Sequence, residues 1–181
     1  MKDKHYYSDG TTSSERDHSK TLHREDGPAA EYNGFREWYR NGKRHRKDGP
    51  AIEYDDGHKA WYLNAKLHRK DGPALEYADC RQSWYLSGNL HREDGPAVVR
   101  SCGSKEWWLN NKLHREDGPA IEYVSGSKRW WLKGKQLRTL TKEYLIKYME
   151  LNNLTLAHLL TDDDEFVRES AAKHFGSQKT I

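Results

Sequence analysis

Hydrophobic and polar positions along the chain follow neither a helical period nor one long strand alternation. They recur in blocks. Trp38, Trp61, Trp84, Trp107 and Trp130 stand 23 residues apart, and the next position is aromatic each time: Tyr39, Tyr62, Tyr85, Trp108 and Trp131. A third ladder, Tyr32, Tyr54, Tyr77 and Tyr123, is broken where Arg100 takes the place. Between the ladders the octet LHREDGPA at 22–29 returns at 90–97 and 113–120, with near copies at 44–51 and 67–74. A period of this length marks a stack of small supersecondary units, each too small to bury a hydrophobic face alone.

One unit, PAIEYDDGHKAWYLNAKLHRKDG, can be parsed directly. AIEY predicts a short strand with Ile52 and Tyr54 on one face. Residues 55–57 predict a tight turn in which glycine supplies the positive φ. KAWYL predicts a return strand with Trp61 and Leu63 facing away from Tyr62. Residues 64–66 turn again, and the next unit begins. Two strand spacings set equivalent residues roughly 9.5 Å apart, so the aromatic stripe is expected to form a continuous core.

The fold expected is mainly β: an elongated array of antiparallel hairpins, about 23 residues per repeat, forming a single twisted sheet capped by a small helical segment. Residues 1–21 read as a degenerate half-repeat, with YYSDG at 6–10 a worn return strand. Residues 22–138 hold the five-copy array, and 139–181 the helical cap or module. Within the last segment Thr141 predicts an N-cap, and Tyr144, Leu145, Tyr148, Met149 and Leu151 form one amphipathic face. A second short helix follows over 154–160. A third has acidic residues at its start, Val167, Ala171 and Phe175 on one side, and Gly176 as its stop.

Composition narrows the reading. A third of the residues are charged and mean hydropathy is −1.15, yet aromatics reach 12% with seven tryptophans. Disordered chains are poor in aromatics, so a thin, exposed fold is expected. Net charge is +3; residues 1–20 sum to zero, 141–181 to −2, and the array carries +5 with both signs interspersed. A dedicated nucleic-acid binder is more lopsided. Two cysteines, Cys80 and Cys102, make neither a disulfide scaffold nor a zinc site. No signal-peptide core or membrane span is legible, so a cytoplasmic protein without membrane attachment is expected.

The motif offers candidate chemistry five times over. Asp26, Asp48, Asp71, Asp94 and Asp117 precede Gly-Pro and read as structural turn residues. Arg24, Arg46, Arg69, Arg92 and Arg115 lie two residues earlier, so in extended chain each points the same way as its aspartate and can pair with it. Their second reading is a row of forks for phosphates or carboxylates. The residue between them changes sign, from Glu25 to Lys47 and Lys70 and back to Glu93 and Glu116, as a solvated position permits. The motif histidines stand too far apart to share one ion, so no metal or other cofactor is expected. Trp108 and Trp131 read as core or cap contacts, or as a stacking platform. No phosphate loop, nucleophile elbow or His-Glu-x-x-His stretch is present, and five near-identical neighbourhoods make no single catalytic centre. A non-enzymatic protein is expected.

The phrase WYLNAKLHRKDGPA resembles the MORN-type repeat in its variant form, and the resemblance covers residues 22–138. It is similar to copies in phage, bacterial and large-virus proteins. Residues 155–176 bear a short resemblance to a HEAT-type helical unit. The resemblance implies an interaction scaffold, some members being antitoxin-like, with no shared catalytic centre. The first expectation is therefore an inhibitor or antitoxin-like scaffold, of the phage-encoded kind, binding a protein partner through its repeat face. The second is a phage-type sponge holding a small nucleotide near Arg115, Trp131 and Arg138. Weak nucleic-acid binding ranks third. Open sheet edges or the helical end also offer a homodimer contact.

Overall fold

A computed structural model of the protein describes residues 3–176. Residues 1–2 and 177–181, the outer ends of the first and third expected segments, lie outside the described residues.

The repeat is a hairpin followed by a second, smaller hairpin. Ile52–Tyr54 runs out and Lys59–Ala60 returns, with Ile52 opposite Ala60 and Glu53 opposite Lys59. Between them the Gly57 N–H donates to the Tyr54 carbonyl at 3.0 Å, and Gly57 takes φ +95°, a conformation that costs a side-chain-bearing residue. The chain then leaves the sheet at Trp61. Its N–H donates to the Ala74 carbonyl of the next repeat (2.8 Å), while its carbonyl accepts from His68 of its own (3.0 Å).

Beyond this point Tyr62–Leu63 and Lys66–Leu67 pair around Asn64 and Ala65, whose φ values are 51° and 65°. Two successive positive φ angles are those of a type I′ turn, whose twist suits a two-residue hairpin. The expected continuous return strand KAWYL is thus corrected. The Trp backbone belongs to two ladders at once, so the strand divides there, and each repeat contributes four short strands instead of two.

The first hairpins of all repeats join in one antiparallel sheet of twelve strands. Thr12–Ser13 forms one edge and Lys128–Arg129 the other. The second hairpins form five two-stranded pieces. These are stitched together by single bonds such as Ala65 N–H to the Arg44 carbonyl (2.9 Å) and Gly88 N–H to the Leu67 carbonyl (2.8 Å). The architecture is therefore mainly β, as the repeat pattern predicts, and three helices follow the array among the described residues.

The core differs from expectation. Ala29, Ala51, Ala74, Ala97 and Ala120 are completely buried, while Trp38, Trp61, Trp84 and Trp107 are only half-buried. The motif alanine is bonded through its backbone to its own unit and to the preceding one: Ala51 donates to Ala60 and accepts from Trp38, each at 2.8 Å. Where three segments converge in this way, the buried volume is filled by a methyl group and the indoles lie to the side.

Trp130 is the exception, 3% exposed. The helices α1 (Lys142–Asn152), α2 (Leu156–Leu160) and α3 (Glu165–Phe175) pack on it with Leu145, Leu159 and Val167, all fully buried. Thr141 caps α1 by accepting the Tyr144 N–H, and Asp164 caps α3 by accepting the Phe166 N–H, satisfying orphan donors at each start. Leu151, expected on the buried face of α1, is 54% exposed because the last turn runs past this core.

Candidate functional site

In four of the five motifs the Arg lies over a Trp ring eight residues earlier. Arg46, Arg69, Arg92 and Arg115 hold their guanidinium carbons 4.1, 3.9, 4.2 and 4.0 Å from the ring centres of Trp38, Trp61, Trp84 and Trp107. Arg24 does the same over Tyr6 at 4.1 Å, so Tyr6 in the N-terminal half-repeat fills the Trp position. These distances fall within the range of cation–π attraction.

On its other side the guanidinium meets the motif glycine. A Cβ built on Gly27, Gly49, Gly72, Gly95 or Gly118 would approach the arginine Cζ to 2.9, 2.8, 3.0, 3.0 and 2.8 Å. None of these five glycines has a positive φ. Glycine stands there for space, to let the turn close over a cation.

Polar contacts complete the clamp. Nη1 of the arginine donates to the proline carbonyl of its own motif, at 3.1–3.3 Å in all five copies. Nε faces the aspartate two residues on, at 2.9 Å for Arg24–Asp26, 3.4 Å for Arg46–Asp48, and 2.8 Å for both Arg92–Asp94 and Arg115–Asp117. Arg69 and Asp71 make no such pair. Hydrogen bonding from Arg24 and Arg92 holds the carboxyls of Asp26 and Asp94 below the usual carboxylate range.

The histidines act between repeats. Nδ1 of His23, His45, His68 and His114 accepts the backbone N–H of Asn41, Asn64, Ser87 and Lys133 at 3.0–3.3 Å. Each donor is the first residue of the next repeat's I′ turn, so these rings join neighbouring repeats; at His45 the same Nδ1 also lies 2.9 Å from Asn64 Oδ1. Among the described residues no group of three or more His, Cys, Asp or Glu is placed to hold a metal ion. Cys80 and Cys102 are free and exposed. No described helix is long and apolar enough to cross a membrane.

Trp108 and Trp131 are half-buried in the column of Tyr39, Tyr62 and Tyr85. The Trp108 indole donates to Glu106 at 3.0 Å. Arg138 falls where a sixth motif arginine would stand, but it is exposed and does not lie over Trp130. The Trp130 ring instead meets Tyr144 and Tyr148 edge-on at 5.9 and 5.4 Å, so the cap takes the place of the missing arginine.

Grooves run between successive motifs: about 680 Å³ between Arg24 and Arg46, 420 Å³ between Arg46 and Arg69, 830 Å³ between Arg69 and Arg92, and 590 Å³ between Arg92 and Arg115. None of the four is lined by Trp131 or Arg138. The arrangement expected from sequence, with Arg115, Trp131 and Arg138 around one pocket, is therefore not the arrangement of these grooves.

A surface that motif reasoning passed over lies at the hairpin tips. Tyr32 stacks on Phe35 at 4.3 Å and Phe35 on Tyr54 at 5.1 Å; His58 follows at 6.1 Å and Tyr77 at 5.2 Å beyond it. The strand register puts Tyr32, Phe35 and Tyr54 directly opposite one another on one face. Tyr54 is 42% exposed and the others are half-buried. The Tyr ladder carried the signal, but Phe35 and His58 are unrepeated. The row ends where Arg81 covers Tyr77 at 4.4 Å. No family model matches the chain, and no curated protein matches it.

Proposed function

We propose that the chain is a non-enzymatic scaffold, of the inhibitor or antitoxin-like kind, that binds a protein partner through its repeat array. The observation that carries this reading is the aromatic row Tyr32–Phe35–Tyr54–His58–Tyr77, a run of ring contacts left partly open to solvent across the first repeats. Aromatic side chains are the preferred anchors of protein interfaces, because they offer large contact area at small conformational cost.

The arginines support the same choice by subtraction. Each lies on a ring and is bonded to its own turn, and four of the five also pair with a glutamate, so the row of free forks that a nucleotide sponge needs is not offered. Alternating Glu and Lys or Arg across the strands, as in Arg36–Glu53–Lys59–Glu76, likewise disfavours a polyanion.

The test is retention of a partner by the tagged protein against its Phe35→Ser/Tyr54→Ser variant, with circular dichroism confirming the fold of both. A protein held by the first and released by the second supports the reading. Equal retention removes the row as the binding surface. A small mass held under native mass spectrometry, with no protein chain, favours the nucleotide reading, and a second copy of this chain favours a homodimer.

A further inference from the structure

The five motif arginines are not equivalent. Seven residues beyond Arg24, Arg46, Arg69 and Arg115 stand Glu31, Glu53, Glu76 and Glu122, at 3.5, 2.8, 2.6 and 2.7 Å from Nη1. In the fourth repeat the same position is Val99. Arg92 keeps its other contacts, with the Trp84 ring at 4.2 Å, the Pro96 carbonyl at 3.3 Å and Asp94 at 2.8 Å. Among the described residues it has no second carboxylate in ion-pair range.

The exchange also breaks the alternation of charge on that face of the sheet. Glu53 is flanked across the strands by Arg36 and Lys59, and Glu122 by Lys105 and Lys128. Val99 is flanked by Gln82 and Lys105. Lys105 therefore has a glutamate on one side only. Gln82 stands where the other repeats carry Arg36, Lys59, Lys105 and Lys128, so the strand charges stay matched and the donor left without its glutamate is Nη1 of Arg92. The groove of about 830 Å³ that Arg92 shares with Arg69 is lined by Gln82, the strand neighbour of Val99, and not by Val99 or Lys105 themselves.

We propose that Arg92, with Val99 and Lys105, is a site for one carboxylate supplied from outside the chain, the side chain of an aspartate or glutamate on the protein partner. The sibling repeats show what the site accepts, because Nη1 of Arg46, Arg69 and Arg115 donates to a glutamate carboxylate at 2.6–2.8 Å, a charge-assisted bond. A phosphate dianion fits less well. Asp94 already matches part of the Arg92 charge, and Glu93, Asp94 and Asp71 all line the same groove. The inference rests on the scaffold reading for the source of the carboxylate.

The site is tested without the partner. The Nε–Hε resonances of the five motif arginines are followed in isotope-labelled protein while N-acetyl-glutamate α-amide is added, and in parallel inorganic phosphate. The expected result is a saturable shift of Arg92 with the glutamate probe while the other four stay in place. Val99→Glu, which supplies in cis the glutamate of the sibling repeats, abolishes the shift. Glu122→Val transfers the response to Arg115. A static Arg92, five resonances moving together, or a response kept in Val99→Glu overturns the proposal. A stronger response to phosphate than to glutamate overturns the carboxylate assignment. All of these outcomes are independent of the aromatic-row experiment, so the site and the scaffold reading fail separately.

Discussion

The guanidinium carbon of Arg69 lies 3.9 Å from the centre of the Trp61 ring, and a methyl group on Gly72 would come within 3.0 Å of that same carbon. The two contacts explain why Arg, Asp, Gly and Pro recur as one phrase. Trp provides the floor, Arg the filling, and the Gly-Pro turn the lid, with the proline carbonyl accepting from the cation it covers (3.1 Å). Repetition of the phrase is thus a requirement of the stack, and differences between repeats are where function is to be sought.

The helical cap depends on Trp130. Its ring is the one buried indole, and its Nε1 donates to Asp164 at 3.3 Å. Trp130→Ala is expected to cost about 3–5 kcal/mol, the range for removing a large core aromatic. The loss should appear as early melting of helical signal at 222 nm, with the strand signal of the array surviving to higher temperature.

Tyr144 makes the cap sensitive to alkali. Burial pushes its phenol well above the usual tyrosine range, and its hydroxyl donates to the Arg115 and Gly118 carbonyls at 3.2 and 3.4 Å. The neutral form is the one the fold favours. Its stabilisation is complete below the unfolded pKa of about 10 and is lost as pH rises through the higher folded value. Denaturant midpoints should fall as pH rises from about 10 towards the folded value, and Tyr144→Phe should lose most of this slope. An identical slope in the variant would count against the assignment.

In acid the sign reverses. Asp26 and Asp94 are held below the usual carboxylate range by hydrogen bonds from Arg24 and Arg92. Their contribution is present above the unfolded carboxylate pKa and is lost as pH falls through the lower folded values. Asp26→Asn/Asp94→Asn should therefore flatten the acid limb of the stability profile, read from thermal midpoints across the acidic range.

The turn at Asn64–Ala65 is strained in one residue. Ala65 adopts φ +65°, where the sibling turns carry Gly42, Gly88 and Gly134. Ala65→Gly is expected to stabilise the array by about 0.5–1 kcal/mol, since relief of the left-handed strain exceeds the extra chain entropy. Differential scanning calorimetry reads the change, and a fall in midpoint would contradict it.

The period, the two turns of each repeat, the Thr141 cap of α1 and the acidic start of α3 were legible in the sequence because each is set by local chemistry: Asn and Gly where φ is positive, a threonine before its helix, carboxylates in a first turn. The break of the return strand at Trp61 was not legible, since strand alternation through KAWYL is unbroken and the two ladders it joins come from different repeats. The alanine core was hidden by size, because a buried methyl leaves no pattern among large apolar residues. For the arginine clamp the signal was present but unread: Arg falls eight residues after each Trp from Trp38 to Trp107, and Gly three residues after each of those arginines. Val99 was visible only against its four glutamate siblings, once the structure had brought each glutamate to its arginine.

The central claim is that the motif glycine serves the arginine. It is tested most directly by a double-mutant cycle between Gly49 and Arg46, where the added Cβ would come within 2.8 Å of the guanidinium carbon. The flexible side chain can move aside, so the cost is that of displacing it from the Trp38 ring and from Glu53, about 1–2 kcal/mol. Gly49→Ala should carry that cost in the native chain and lose nearly all of it when Arg46 is already Met. An equal cost in both backgrounds would place the need for glycine in the backbone and contradict the account.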